Sequence, residues 1–284
     1  MRIALAIEYN GTRYAGWQRQ PHADSVQARV EASLSRVADH PVLVTCAGRT
    51  DAGVHAWAQV VHFDTTALRP MRSWVLGANA NLPNDVVVRW AAHVSDEFHA
   101  RYSALSRTYR YVVLNRSTRP AIDAGRVGWI LAPLNVERMQ EAAIYLIGEH
   151  DFSAFRAAQC QSKSPVRRLL ALSVTRQGDR VEFVVTANAF LHHMVRNLVG
   201  TLLAVGLGTR QASWVADVLA AGIRAEAGIT APAGGLYFES VRYPDHFGLL
   251  SAAPSADSAM MHNWPDPRFA VDSWPPFSDA QGFR

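Results

Sequence analysis

Apolar and polar residues alternate at the start of the chain and then change to a helical spacing. Bulky apolar residues occupy every second position of residues 2–9, which is the period of a half-buried β-strand. Between residues 26 and 37 apolar residues recur three to four positions apart, and Asp24 with Gln27 is placed to form a capping box before them. The pattern therefore predicts a strand followed by a helix.

The first third of the chain continues this alternation of strands and helices. The segments that follow are strands at residues 42–47, 57–63 and 86–92, with a helix opened by Pro70 and reaching Asn79 between the last two. The predicted order is βαββαβ. This is the order of a ferredoxin-like fold, in which two helices cover one face of a sheet.

From Arg107 a similar order begins again without similarity in sequence. The predicted elements are a strand at 107–114, a helix at 135–147, a hairpin of 169–175 and 180–187, helices at 189–205 and 213–221, and a strand at 236–243. We therefore predict an α+β fold of two ferredoxin-like halves, residues 1–103 and 104–244. Residues 245–284 are rich in Pro, Ser, Asp and Ala, and we predict that they form a flexible tail.

Composition narrows the class of protein. A hydrophobic share of 49% in 284 residues, with mean hydropathy of -0.04, is typical of a soluble globular chain. The opening apolar run ends at Glu8, which is too short for a signal peptide or a membrane span, so we expect a cytoplasmic protein without membrane association. Cys46 and Cys160 have no CxxC spacing, which argues against a cysteine zinc site and a disulfide framework.

The charge is mildly basic and is carried almost entirely by arginine. The formal net charge is +4, the pI is about 9.3, and Lys163 is the only lysine among 28 basic residues. The planar guanidinium group suits phosphates and base edges, so the composition is compatible with a nucleic-acid partner. A coding bias toward arginine explains the same composition equally well.

The segment AGRTDAGVHA, residues 47–56, combines turn residues with charged groups between two predicted strands. Glycines and Asp51 are typical of a tight loop, and this alone can account for the segment. The loop also places Arg49 two residues before Asp51, and an arginine near a carboxylate favours the ionised form that a nucleophile or base requires. Loops on rigid scaffolds commonly carry active groups, so Asp51 is the first candidate for chemistry.

This segment resembles the catalytic motif of the tRNA pseudouridine synthase A family, in which the aspartate is the essential residue. Six more segments resemble that family in the same order: EYNGTRYAGWQRQP, NANLPNDVVVRW, FHARYSALSRTYRYVV, DFSAF, FLHHMVRN and GLYFESVRYP. Together they extend from Arg2 to Pro244. The resemblance implies the pseudouridine synthase fold with a central cleft, a homodimer, and an isomerase that flips uridines 38, 39 and 40 of tRNA and converts them to pseudouridine without a cofactor.

The resemblance also implies roles for individual residues. Asp51 would be the nucleophile, although the residues leave three routes open: attack on C1′, attack on the uracil ring, or removal of a ribose proton. Arg196, in FLHHMVRN, would form an ion pair with Asp51, and Tyr109 would stack on the target base. Arg49 would support Asp51, the RNA phosphate, or both.

Further residues are candidates for contact with RNA because basic and stacking side chains interleave as an RNA-binding surface requires. They are Arg13, Tyr14, Trp17, Arg19, His55, Arg107 and Arg110. The alternative for the early loop is a mobile surface segment.

No metal site is expected. His192 and His193 are adjacent within a predicted helix and cannot share one helix face. Two rival functions differ from the isomerase. A non-catalytic RNA-binding module would carry the K/R-G-F/Y signature, which does not occur here. An RNA glycosidase would need a second carboxylate beside Asp51, and the motif supplies none.

Overall fold

The computed structural model describes residues 1–249, so most of the predicted tail, residues 250–284, lies outside the described part. The first half contains β1 (Arg2–Tyr9), α1 (Val26–Ala38), β2 (Thr45–Cys46), β3 (His55–Asp64), α2 (Met71–Asn81) and β4 (Val86–Val94). Its strands pair in the order β4-β1-β3, with β2 on β3, and every pair is antiparallel. The apolar residues of β1 are fully buried at the centre of this arrangement.

The second half has more elements than the sequence predicted. They are β5 (Ser106–Asn115), β6 (Gly128–Ile130), α3 (Val136–Ile144), β7 (Gly148–Asp151), β8 (Val166–Gln177), β9 (Arg180–Ala187), α4 (Met194–Gly206), α5 (Trp214–Ala221) and β10 (Leu236–Arg242). The strand order is β10-β5-β9-β8-β7, with β6 added to β5. The short strands β6 and β7 have too few residues for a period to be recognised.

One continuous mixed sheet joins the two halves. The joint is a short parallel pairing of β10 with β3, at Tyr237 opposite His55 and Phe238 opposite Ala56. All other pairs in the main strand order are antiparallel. Because β3 begins at His55, the joint lies directly after the loop that carries Asp51. The α+β class is therefore confirmed.

Three local predictions are corrected. The N-cap of α1 is Ser25, whose Oγ accepts a hydrogen bond from the backbone of Ala28, whereas Asp24 forms an ion pair with Arg29 at 2.7 Å. The strand predicted at 42–47 is reduced to the two residues of β2. The helix predicted from residue 189 begins only at Met194, and this difference changes the candidate site.

Within residues 1–249, no helix combines the length and the apolar character needed to cross a membrane.

Candidate active site

Asp51 lies in the loop between β2 and β3, and the early loop after β1 braces this segment. The backbone N–H of Trp17 donates to the Thr50 carbonyl at 3.0 Å, and that of Gly53 donates to the Tyr14 carbonyl at 3.3 Å. The hydroxyls of Tyr9 and Thr50 are 2.7 Å apart. These bonds hold the loop in place on both sides of Asp51, so its carboxylate projects from a fixed backbone.

Three side chains from a distant part of the chain converge on the Asp51 carboxylate. Arg196 Nη1 donates to Oδ2 at 3.3 Å, His192 Nε2 lies 3.2 Å from Oδ1, and His193 Nε2 lies 3.4 Å from Oδ2. The Asp51 side chain is 22% exposed, so one side remains open to a substrate. The predicted pair of Asp51 and Arg196 is present, and the two histidines are additional partners that the sequence did not indicate.

The start of α4 explains why both histidines reach the same carboxylate. His193 adopts a left-handed backbone with φ of 61° immediately before the helix, a conformation that is unfavourable for a residue other than glycine. The backbone N–H of His192 donates to Cys160 Sγ at 3.4 Å, and its carbonyl accepts from Ala157 at 3.0 Å. The prediction that these histidines lie within a helix was wrong, because they form a turn ahead of α4, and in this turn both side chains reach Asp51.

The ligand atoms of Asp51, His192 and His193 all lie within 4.8 Å of one another, a spacing that a divalent cation can bridge. Arg196, however, places a permanent positive charge 3.3 Å from Asp51 Oδ2, and like charges repel. We therefore interpret the cluster as an ion pair with two neighbouring imidazoles rather than as a metal centre.

Arg196 is held on its far side by the irregular segment of residues 228–232, which packs against α4. Its Nε donates to the Ala231 carbonyl at 2.7 Å, and the backbone N–H of Ala231 donates to the Arg196 carbonyl at 3.1 Å. The side chain is only 15% exposed. A fixed guanidinium group loses little conformational freedom when it pairs with Asp51, so the ion pair costs less than one between two mobile surface chains.

Tyr109 lies on β5 beside the same loop, is 8% exposed, and packs against two aromatic rings. Phe190 and Phe238 each meet its ring edge to face, with centroids 5.0 Å away. A Cβ added at Gly48 would lie 3.6 Å from the Tyr109 hydroxyl, so this side chain borders the segment that carries Asp51. Burial raises the pKa of the Tyr109 hydroxyl well above its usual value, and the charge of nearby Asp51 acts in the same direction.

Arg49, predicted to support Asp51, is exposed, and among residues 1–249 it forms no ion pair with Asp51. Its position at the loop surface is compatible with the other role left open for it, a contact with phosphate.

The early loop divides into buried and exposed residues. Tyr14 and Trp17 are buried, with the Tyr14 hydroxyl donating to Asp85 at 2.6 Å and Trp17 packing on Tyr9. The prediction that these two rings stack on RNA does not agree with this burial. Arg13 and Arg19 are exposed, and each forms an ion pair, with Asp85 and Glu31 respectively.

Two more predicted RNA contacts, His55 and Arg107, are buried, and a third, Arg110, is partly buried. His55 accepts from the backbone of Gly11 at 3.0 Å, and its other nitrogen lies 3.1 Å from the Gly125 carbonyl. Arg107 donates to backbone carbonyls, including those of Asn188 at 2.9 Å and Ala47 at 3.2 Å.

Arg110 forms ion pairs with Glu182 and with Glu239, the latter at 2.8 Å. Like the two preceding residues, it has partners within the protein for its polar atoms. These placements correct the expected role of all three, His55, Arg107 and Arg110, from RNA contact to support of the fold.

Comparison with known proteins gives one consistent result. The sequence model described as tRNA pseudouridine synthase matches residues 5–103 and 142–244. The tRNA pseudouridine synthase A of Methylococcus capsulatus is 58% identical over 253 residues, which cover 89% of this chain and 93% of that protein. The protein of the same name from Vibrio cholerae is 57% identical over 249 residues, with 88% and 94% coverage. That of Nitrosococcus oceani is 55% identical, with 88% and 96% coverage.

Proposed function

The chain belongs to the tRNA pseudouridine synthase A family, which isomerises uridine to pseudouridine in tRNA, and we propose that Asp51 performs this reaction at positions 38, 39 and 40. The observation that carries the assignment of Asp51 is its partly exposed carboxylate, paired with the fixed Arg196 guanidinium at 3.3 Å. Each of the three open routes requires a carboxylate that the substrate can reach.

The partners of Asp51 favour an isomerase over a hydrolase. Arg196, His192 and His193 make the side-chain contacts to Asp51 in the described part of the chain, and none of them is a carboxylate. A hydrolytic glycosidase usually uses two carboxylates, one to protonate the leaving group and one to act as nucleophile or base. Exchange of one glycosidic bond for another within the same nucleotide can proceed with a single carboxylate.

We propose that residues 1–103 and 104–244 form two ferredoxin-like halves and that the target base enters a cleft between them. The support is the strand order of each half, β4-β1-β3-β2 and β10-β5-β9-β8, together with a family match divided between the two. Asp51 lies in the first half, and Arg196 with Tyr109 lies in the second. The homodimer and a cytoplasmic location remain parts of this proposal.

The function is tested by tritium release from tRNA transcripts with uridine labelled at C5, because the new bond at C5 expels that hydrogen. We expect release from transcripts with uridine at positions 38, 39 or 40. Matched transcripts with cytidine at these three positions and labelled uridine elsewhere should release none. Tight binding without release from any transcript would favour the RNA-binding module instead.

Tyr109 is predicted to contribute through its ring rather than its hydroxyl. Stacking on a base contributes about 1–3 kcal/mol, so Tyr109→Ala should lower the turnover of limiting tRNA by roughly 5- to 150-fold. Tyr109→Phe keeps the ring between Phe190 and Phe238 and should stay within a few-fold of wild type. Single-turnover rates at subsaturating enzyme measure this difference, and an equal loss in both variants would contradict the stacking role.

A further inference from the structure

The isomerisation requires a group that removes a proton from C5 of uracil. Once C5 is joined to C1′, it still carries its original hydrogen. The C5–H electron pair must form the C5–C6 double bond. The pair displaced from C6 then moves from the C6–N1 double bond to N1 or, if Asp51 has added to the ring, leaves with its carboxylate, and in either case N1 must take up a proton. One proton leaves and one is gained, whichever of the three routes Asp51 follows. The structure limits which side chain can accept the proton from C5.

Two neighbours of Asp51 are poor acceptors. Arg196 carries a guanidinium group that stays protonated in proteins, and its Nε and Nη1 are already engaged. Burial raises the pKa of the Tyr109 hydroxyl, so this group is a neutral phenol at working pH and a weak base. The imidazoles of His192 and His193 remain, and histidine is the side chain most often used for such transfers.

The two histidines occupy different positions around the carboxylate. His193 lies at Oδ2, which it shares with Arg196, whereas His192 is the side chain in contact with Oδ1 in the described part of the chain. The His192 side chain is also the more exposed of the two, at 37% against 30%. An open ring can exchange its proton with water, and this exchange both frees the Nε2 lone pair and carries the abstracted hydrogen into solvent.

Distance supports the same choice. Reacting atoms in a productive complex lie about 3–3.5 Å apart, so the target nucleotide must approach the Asp51 carboxylate this closely. Nε2 of His192, which lies 3.2 Å from Asp51 Oδ1, is then within reach of the same nucleotide. The next residue, His193, has a left-handed backbone with φ of 61°, and such sparsely populated conformations cluster at functional sites.

We propose that His192 is a further catalytic residue, which accepts the proton from C5 of the rejoined uracil on Nε2 and passes it to water, while N1 takes a proton from solvent. This proposal rests on the proposed function. It requires no oxidant, reductant or cofactor, since the C5–H bond is exchanged for an N1–H bond with no net change in protons or electrons.

The test is His192→Gln, assayed with transcripts that carry hydrogen or deuterium at C5. Glutamine can still donate to Asp51 Oδ1 but cannot accept a proton as imidazole does. We expect pseudouridine formation to fall by about 10²-fold or more, as when a general base is lost. We also expect the rate ratio between the two isotopes to rise above the wild-type ratio, because proton removal becomes the slow step.

His193→Gln is the matched control and should leave the isotope ratio at the wild-type value. A slower His192→Gln enzyme with an unchanged isotope ratio would overturn the proposal, because His192 would then only position Asp51. A raised ratio in the His193 variant alone would overturn it in favour of the other ring. Failure of the proposed function is distinguishable, since wild-type protein would then release no tritium at all.

Discussion

Asp51→Asn is expected to abolish pseudouridine formation while tRNA binding persists. Asparagine has nearly the same volume and can turn its one oxygen toward Arg196, so the loop should keep its position. The amide is neither a nucleophile nor a base. Loss of a catalytic carboxylate lowers turnover by about 10⁴-fold in well-studied enzymes, and we expect a loss of at least that order here.

Tritium release and filter binding, measured side by side on the same transcript, check this expectation. Asp179→Asn is the matched control, because it removes one exposed carboxylate in the β8–β9 turn with the same change in net charge. The control should release tritium at the wild-type rate. Retained turnover in Asp51→Asn would remove Asp51 from the mechanism, and loss of binding alone would make it a recognition residue.

The long elements of the fold could be predicted because their periodicity is local. The strand predicted at residues 2–9 matches β1, and the predicted strands at 57–63 and 180–187 lie within β3 and β9. Each alternates because one pleated face meets the core. The joint of the two halves could not be derived in this way. It depends on a parallel pairing of only two residues per strand, between segments about 180 positions apart in sequence.

The candidate site was predicted in part, and the resemblance rather than the residue pattern supplied the prediction. Nothing near Asp51 in sequence indicates Arg196, which lies 145 positions away and meets it at 3.3 Å. The two histidines were missed because the segment before Met194 has helical spacing. Contacts of His192 with Cys160 and Ala157 hold it as a turn instead.

The predictions of RNA contact that disagree with the structure share one physical cause. Arginine, tyrosine and tryptophan each combine an apolar body with a polar end, so sequence alone does not distinguish a surface contact from a buried brace. Arg107 illustrates this, because a cage of backbone carbonyls from Ala47 and Asn188 takes the place of the expected phosphate. Arg13, by contrast, keeps an exposed side chain.

Gly200→Ala is expected to destabilise the protein and to lower its activity. A Cβ at this position of α4 would lie 1.7 Å from the Ile229 carbonyl oxygen, and a backbone atom cannot move aside as a flexible side chain can. Overpacking costs about 1–3 kcal/mol where side chains must adjust, so we expect at least about 3 kcal/mol here. The melting temperature should then fall by roughly 6–12 °C.

Gly77→Ala in α2 separates this clash from the ordinary effect of alanine in a helix. Its added Cβ would meet a methyl group of Val37 at 3.0 Å, and that side chain can shift. Alanine is favoured over glycine in a helix by about 1 kcal/mol, so the free energy of unfolding should change by no more than that. Equal melting temperatures for the two variants would mean that the approach of Ile229 to α4 is not required.

Gly200→Ala should also slow the reaction in protein that remains folded. The segment that would be displaced includes Ala231, whose carbonyl accepts from Arg196 Nε at 2.7 Å. When this segment moves, Arg196 loses the hydrogen bond to Ala231 that fixes its guanidinium group opposite Asp51. Gly200→Ala protein that remains folded below its lowered melting temperature should therefore still isomerise uridine more slowly than Gly77→Ala protein. Wild-type turnover in such folded protein would show that the ion pair of Arg196 and Asp51 does not depend on this segment.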